Sequence, residues 1–89
     1  IQGDAALVAT GFTLVSGSAD AGIILPAAVA GLVCFIKNNI AGNLDVYPDG
    51  TDTINAIGAG SEISMASLKS AIFVCYNGAG WYTFPLLPS

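Results

Sequence analysis

The chain reads as all-β, a small antiparallel β-sandwich or barrel, jelly-roll-like, of about seven or eight short strands. Three observations point there. Apolar residues alternate with period two in "NLDVYP" (43–48) and "SEISMA" (61–66), the spacing of a strand that hides one face and shows the other. The apolar runs are short and bounded at close intervals by Gly, Asn, Asp, Ser and Pro, the residues that turn a chain. The one stretch of helical composition, "LPAAVAGL" (25–32), holds Pro26 and Gly31, which favour a short turn over a packed helix.

In chain order the strands are expected at 12–16, 22–25, 32–38, 44–47, 53–57, 62–66, 71–76 and 81–84, with residues 5–9 as a candidate for one more. The runs "GLVCFIKNN" and "SAIFVCYN" are continuous rather than alternating, as suits strands covered on both faces. The last strand carries Trp81 and Phe84 with opposite parity, so a straight strand sends them to opposite faces. Core packing is the plain reading of Trp81. The other face, with Leu86 and Leu87 beyond it, is open to a partner.

Segments beginning at Phe35 and Phe73 echo each other at an offset of 38: Asn39 matches Asn77, and Ala41-Gly42 matches Ala79-Gly80. Two hairpins with related turns account for this, since Asn and Gly accept the positive φ of tight turns. An internal duplication is the alternative reading.

Composition limits function further. Eighty-nine residues make one β domain, spanning 1–89. A chain of this size buries only about 60–65% of its unfolded surface. Yet 54% of its residues are apolar and 9% charged, against roughly a quarter charged in ordinary domains. The surplus apolar surface belongs in lipid, in self-association or in a larger assembly. Lipid is the poorest fit: the run from 21 to 36 is broken by Gly22, Pro26 and Gly31 and falls short of the ~20 residues of a spanning helix. No basic segment precedes an apolar one, so no signal peptide is expected. A net charge of −4, with Lys37 and Lys69 the sole cations, argues against a nucleic-acid partner.

Chemistry finds little to work with. Without histidine there is no Ser-His or Cys-His pair. No G-x-S-x-G elbow or phosphate-binding glycine loop occurs. Asp49-Gly50-Thr51-Asp52 offers a cation too few oxygens for calcium and fits a turn whose Asp side chains bond nearby backbone amides. Paired glycosidase carboxylates from Asp45, Asp52 or Glu62 have no supporting spacing. Cys34 and Cys75 each sit in an apolar run and read as buried thiols, with a disulfide between neighbouring strands as the alternative. No enzyme, no cofactor and no metal site is expected.

Open sheets protect their edges with lysines, prolines or inward charges, and here the runs from Leu32 and Ala71 hold only Lys37 between them. Such a chain is expected to work as a homo-oligomer or in a fixed place in a particle. A resemblance fits this. Ile23-x-Leu25-Pro26, then Gly31 with a β-run ending at Asn38, Leu44-x-Val46-Tyr47-Pro48, Asp52-x-Ile54-Asn55, and a hydrophobic strand before Gly80-Trp81-Tyr82 together resemble small virion proteins of tailed bacteriophages. These are capsid decoration (cement) proteins and head or tail fibre domains. The pattern covers about residues 22–83. It implies a compact β-sandwich or barrel, commonly a trimer, that binds the major capsid protein or other virion proteins, and it carries no catalytic residues.

Residues 1–10 and the tail 85–89 are the expected contact arms. The interface residues expected from sequence are Leu7, Val8, Trp81, Tyr82, Phe84, Leu86 and Leu87. The leading expectation is a decoration subunit that stabilises an assembled head. A fibre or tail-spike domain whose aromatics stack a host glycan is second, and a disulfide-bonded extracellular β-module third.

Overall fold

A computed structural model of the chain describes residues 10–16 and 22–84 together with the backbone of Ala6 and Leu7. Those residues form nine strands: β1 (Ala6–Leu7), β2 (Gly11–Val15), β3 (Gly22–Ile24), β4 (Val33–Asn38), β5 (Leu44–Tyr47), β6 (Thr53–Ile54), β7 (Ile63–Met65), β8 (Ser70–Cys75) and β9 (Gly80–Phe84). Every strand expected from sequence is present, including the extra one near the N-terminus, and "LPAAVAGL" is a turn closed by Leu32 N–H donating to the Val29 carbonyl. The strand expected at 53–57 stops at Ile54, because Asn55 and Ala56 take φ of 54° and 59°, a left-handed conformation that ends a ladder.

Strand pairing corrects the antiparallel expectation. A four-stranded sheet has the order β1-β3-β5-β7 and a five-stranded sheet the order β2-β4-β8-β9-β6. From β1 to β8 each successive strand enters the opposite sheet. In the first half of the chain two crossings return it to its starting sheet in the same direction, and β1 with β3, β3 with β5, and β2 with β4 pair in parallel. β6 then goes to the far edge of the five-stranded sheet, parallel to β9, and the pairs β5–β7, β4–β8 and β8–β9 are antiparallel. Both sheets are therefore mixed. The echo of residues 35–48 and 73–85 is not a pair of related hairpins either. The first turn carries the chain from one sheet to the other, and only the β8–β9 turn joins hairpin neighbours. Phe35 faces outward and Phe73 inward, so the two matched positions have opposite roles.

Parity selects the core. Ile23, Leu44, Val46, Ile63 and Met65 from the four-stranded sheet, with Leu25 just past β3, form one core with Cys34, Ile36, Phe73, Cys75, Ile54 and Trp81 from the five-stranded one. Cys34 and Cys75 are buried thiols with no disulfide between them. In the ladder Cys34 lies opposite Phe73, which leaves Cys75 as its diagonal neighbour; diagonal positions are ~7–8 Å apart, wider than a disulfide spans. Burial raises the Cys34 thiol above its ordinary range, with Cys75 adding to the effect. Burial also raises Cys75, whose S–H donates to the Asn77 carbonyl at 2.9 Å.

One buried polar side chain joins the layers. Asn38, at the end of β4, has no exposed surface. Its Nδ2 donates to the carbonyls of Gly42, Met65 and Ala66 at 3.1, 3.0 and 3.0 Å, and its Oδ1 accepts from Ile40 N–H at 3.1 Å. The Ser67 hydroxyl donates to the Ile40 carbonyl at 2.6 Å. Thus the 39–43 corner, where the chain leaves one sheet for the other, is tied to the end of β7. On the opposite side Asp52 Oδ2 accepts from Ala28 N–H at 3.0 Å, while its backbone carbonyl accepts from Gly60 N–H at 2.9 Å. Here the aspartate braces distant segments, where the sequence suggested a side chain bonding inside its own turn.

Asn38→Leu keeps the volume but strips partners from the Ile40 N–H and the buried carbonyls, at about 1–3 kcal/mol for each group left unsatisfied. Against a total stability of about 5–13 kcal/mol for a chain of this length, chemical denaturation should show a loss of ~3 kcal/mol or more; a loss below ~1 kcal/mol would remove Asn38 as the tie. In the folded protein neither thiol should react with a chromogenic disulfide reagent at neutral pH, and both should react once the chain is unfolded. Titration in and out of denaturant checks this.

Candidate functional site

The two sheets differ on their outer faces. On the four-stranded sheet the outward row runs Gly22, Asp45, Ser64 across β3, β5 and β7, with Ile24 beside Tyr47 in the next row. Among the described residues that face is mostly polar, as the alternating segments require. On the five-stranded sheet the outward row runs Phe12, Phe35, Ile72, Phe84 across β2, β4, β8 and β9. A flanking row holds Val33, Val74 and Tyr82. The other holds Leu14, Lys37 and Ser70.

Here the sequence expectation needs correcting. β4 and β8 carry apolar side chains on both faces, which read as two-sided burial. Among the described residues only the inner face is covered. Burial along β4 and β8 alternates, and Phe35 lies exposed on the outside. Phe12 is 71% exposed and Phe84 60%. The exposed parts of Phe12, Phe35, Tyr82 and Phe84 alone come to roughly 400 Å², taking ~200 Å² for a whole aromatic side chain. That already reaches the size of the largest apolar patch on an ordinary monomer, ~300–600 Å², before Leu14, Ile72, Val33 and Val74 are added. Between the phenylalanines lies a shallow groove of about 300 Å³, bordered by Phe12, Phe35, Ile72 and Phe84 with Ser70 at one end.

Lys37 is the one charged residue in these rows. Its amine donates to the Leu68 carbonyl, which draws the charge toward the 66–69 turn and leaves the aliphatic stem on the face. Leu68 itself is exposed at φ 64°, a conformation unfavourable for a bulky side chain. At the opposite border Tyr76 stacks on Tyr82, ring centroids 4.5 Å apart and 20° from parallel. Gly80 permits this, because a Cβ there would lie 2.7 Å from the Tyr76 hydroxyl. Burial raises the Tyr76 hydroxyl above its ordinary range, with Tyr82 the next cause.

The interface residues expected from sequence divide accordingly. Tyr82 and Phe84 stand on the apolar face. Trp81 does not: it has no exposed surface and serves the core, as its opposite parity to Phe84 allowed. Its Nε1–H is buried without an acceptor among the described residues. Leu7 lies in β1 of the other sheet, where only the backbone is described. Val8, Leu86 and Leu87, with most of both proposed arms, fall outside the described residues. Sequence reasoning missed Phe12, Leu14, Phe35 and Ile72. The signal was there, in the same-parity apolar positions of the continuous runs, but which parity faces outward depends on the pairing. Among the described residues no cluster of three or more Cys, Asp or Glu is placed to hold a metal ion, and no helix is long and apolar enough to cross a membrane. No family model, curated protein or solved structure matches the chain.

Because Phe12 and Phe84 are exposed in the single chain, Phe12→Thr and Phe84→Thr should each change its unfolding free energy by no more than ~0.5 kcal/mol, as surface substitutions do, while lowering the binding of a hydrophobic dye. Losses above ~2 kcal/mol in denaturation would mean that these side chains pack inside the monomer.

Proposed function

We propose that the chain is a structural subunit of a particle, a capsid decoration or cement protein of a bacteriophage head, that seats on the assembled shell through the outer face of its five-stranded sheet. The observation that carries this reading is the uncovered row Phe12, Phe35, Ile72, Phe84, set against a mostly polar outer face on the other sheet. A protein with one apolar face and one polar face has a side to bury and a side to show. The viral setting rests on the sequence resemblance. The docking role rests on the face.

The occupant fitting this face is an apolar patch of a shell protein, with little charge and a ridge to enter the groove. With about 400 Å² of aromatic surface on offer, the face approaches half of the ~800 Å² per partner of a standard interface before its aliphatic residues are counted. Binding in the assembled state stabilises the shell by mass action. Lys37, the one charge in the described outer rows of this sheet, is drawn to the Leu68 carbonyl and does not oppose the contact.

A second reading has one observation in its favour. Tyr76 and Tyr82 are both partly exposed and stacked, and the outward side of such a pair can carry a sugar ring, as a glycan-binding fibre domain requires. Trp81, buried, is not available for that contact. Glycan titration should therefore be followed through the tyrosine ring resonances, and saturable shifts at both tyrosines would favour the fibre reading.

Heads purified from the source phage should carry the chain at fixed stoichiometry. Heads prepared without it should bind the wild-type chain and take up a Phe12→Glu/Phe84→Glu variant at least about thirtyfold more weakly, the ~2 kcal/mol of a contact hot spot. Absence of the chain from purified virions, or equal binding by the variant, sinks the proposal.

A further inference from the structure

Four strands sit at sheet edges: β1 and β7 in one sheet, β2 and β6 in the other. Three are short, with two residues in β1, three in β7 and two in β6. Short edge strands are a standard defence against unwanted pairing. β2 is different. It runs five residues, "GFTLV", without a charge or a proline. It is also the one strand with described side chains that has no buried residue. Even Thr13 and Val15, on the inner side, remain half-exposed.

Its hydrogen-bonding direction is set. Asn39 N–H donates to the Val15 carbonyl at 2.7 Å, so Val15 turns its carbonyl toward β4. Backbone groups alternate sides along a strand, and Gly11 and Thr13 share that direction. Phe12 and Leu14 consequently turn their N–H and C=O groups to the open edge, where no strand lies among the described residues.

We propose that this edge pairs with the same edge of a second copy, antiparallel about a twofold axis at Thr13. In that register Phe12 of each copy faces Leu14 of the other as a hydrogen-bonded pair, giving four backbone hydrogen bonds across the seam. Thr13 faces its twin as a non-hydrogen-bonded pair. Phe12 and Leu14 both lie on the outer face, so the apolar rows of the two sheets meet and form one continuous ten-stranded surface. The occupant is a second copy because the edge is self-complementary: one uncharged strand, apolar on its outer side, centred on one residue. This pairing supplies the oligomer of the proposed function and is twofold, whereas the resemblance implies a trimer. It stands or falls separately from shell binding, since a monomer that binds heads would defeat it and leave the docking face intact.

Two substitutions read the pairing without depending on one another. Leu14→Pro removes an N–H that points at the partner and leaves the β2–β4 ladder whole, whereas Thr13→Pro would break that ladder. Thr13→Cys places two thiols at a non-hydrogen-bonded pair, ~4.5 Å between Cα atoms and within disulfide reach. The buried Cys34 and Cys75 do not compete. Light scattering on the full chain should give twice the 8.9 kDa chain mass. Leu14→Pro, its circular dichroism unchanged, should weaken the dimer at least about tenfold. Mild oxidation should link most Thr13→Cys into dimers and leave Leu14→Cys mainly unlinked. A wild-type monomer across the whole concentration range overturns the pairing. So does a dimer that survives Leu14→Pro and fails to cross-link through Thr13→Cys. Protection of the Phe12 and Leu14 amides only when heads are added would assign the edge to a shell strand, and would overturn it as well.

Discussion

A strand in a two-layer sandwich can hide one row of side chains and must show the other. That constraint governs this molecule. β4 and β8 form the centre of the larger sheet, and both carry apolar residues on both rows. The inner rows, with Cys34, Ile36, Phe73 and Cys75, make the core. The outer rows, with Val33, Phe35, Ile72 and Val74, have no further layer over them among the described residues. A third layer would cover them, and the described residues supply none. The exposed face thus follows from the parity of two strands.

The alternating path between sheets makes the corners decisive. Each crossing exposes backbone groups that neither ladder can satisfy, and a small domain has little apolar burial with which to offset them. Asn38 resolves the hardest corner by offering both of its amide groups to the backbone of that corner and of the end of β7. Asn55 does similar work at the other edge: its Nδ2 donates to the Thr83 hydroxyl and its Oδ1 accepts from Thr83 N–H, carrying the β6–β9 contact one residue past the strand. In this chain, asparagines that resemble turn residues in sequence act as ties between elements.

Much of this was legible beforehand, and the limits have physical causes. Period-two spacing located the strands because side-chain alternation is local. The opposite parity of Trp81 and Phe84 separates core from surface along that strand, although Trp81, expected also as a contact residue, lies wholly in the core. Pairing was not legible, since parallel and antiparallel strands share one alternation, and the sheet-to-sheet crossings that make β2 and β4 parallel leave no mark on it. Continuous runs usually mean strands covered on both sides; here the described residues cover only one. Asn38 gave no signal, because nothing within "FIKNNIAG" separates a buried amide from the exposed Asn39 beside it. The segments expected to act as arms lie largely outside the described residues, and the docking surface argued here comes from the sheet.

The central claim is that the outer face of the five-stranded sheet is covered in the working state. Hydroxyl-radical footprinting of the assembled particle and of the isolated chain measures that cover directly, with Tyr47 on the opposite sheet as an internal reference. The account predicts that Phe12, Phe35, Tyr82 and Phe84 oxidise readily in the isolated chain and are protected severalfold in the particle, while Tyr47 changes little. Equal oxidation of the four aromatics in both states, or protection confined to Tyr47, would contradict it.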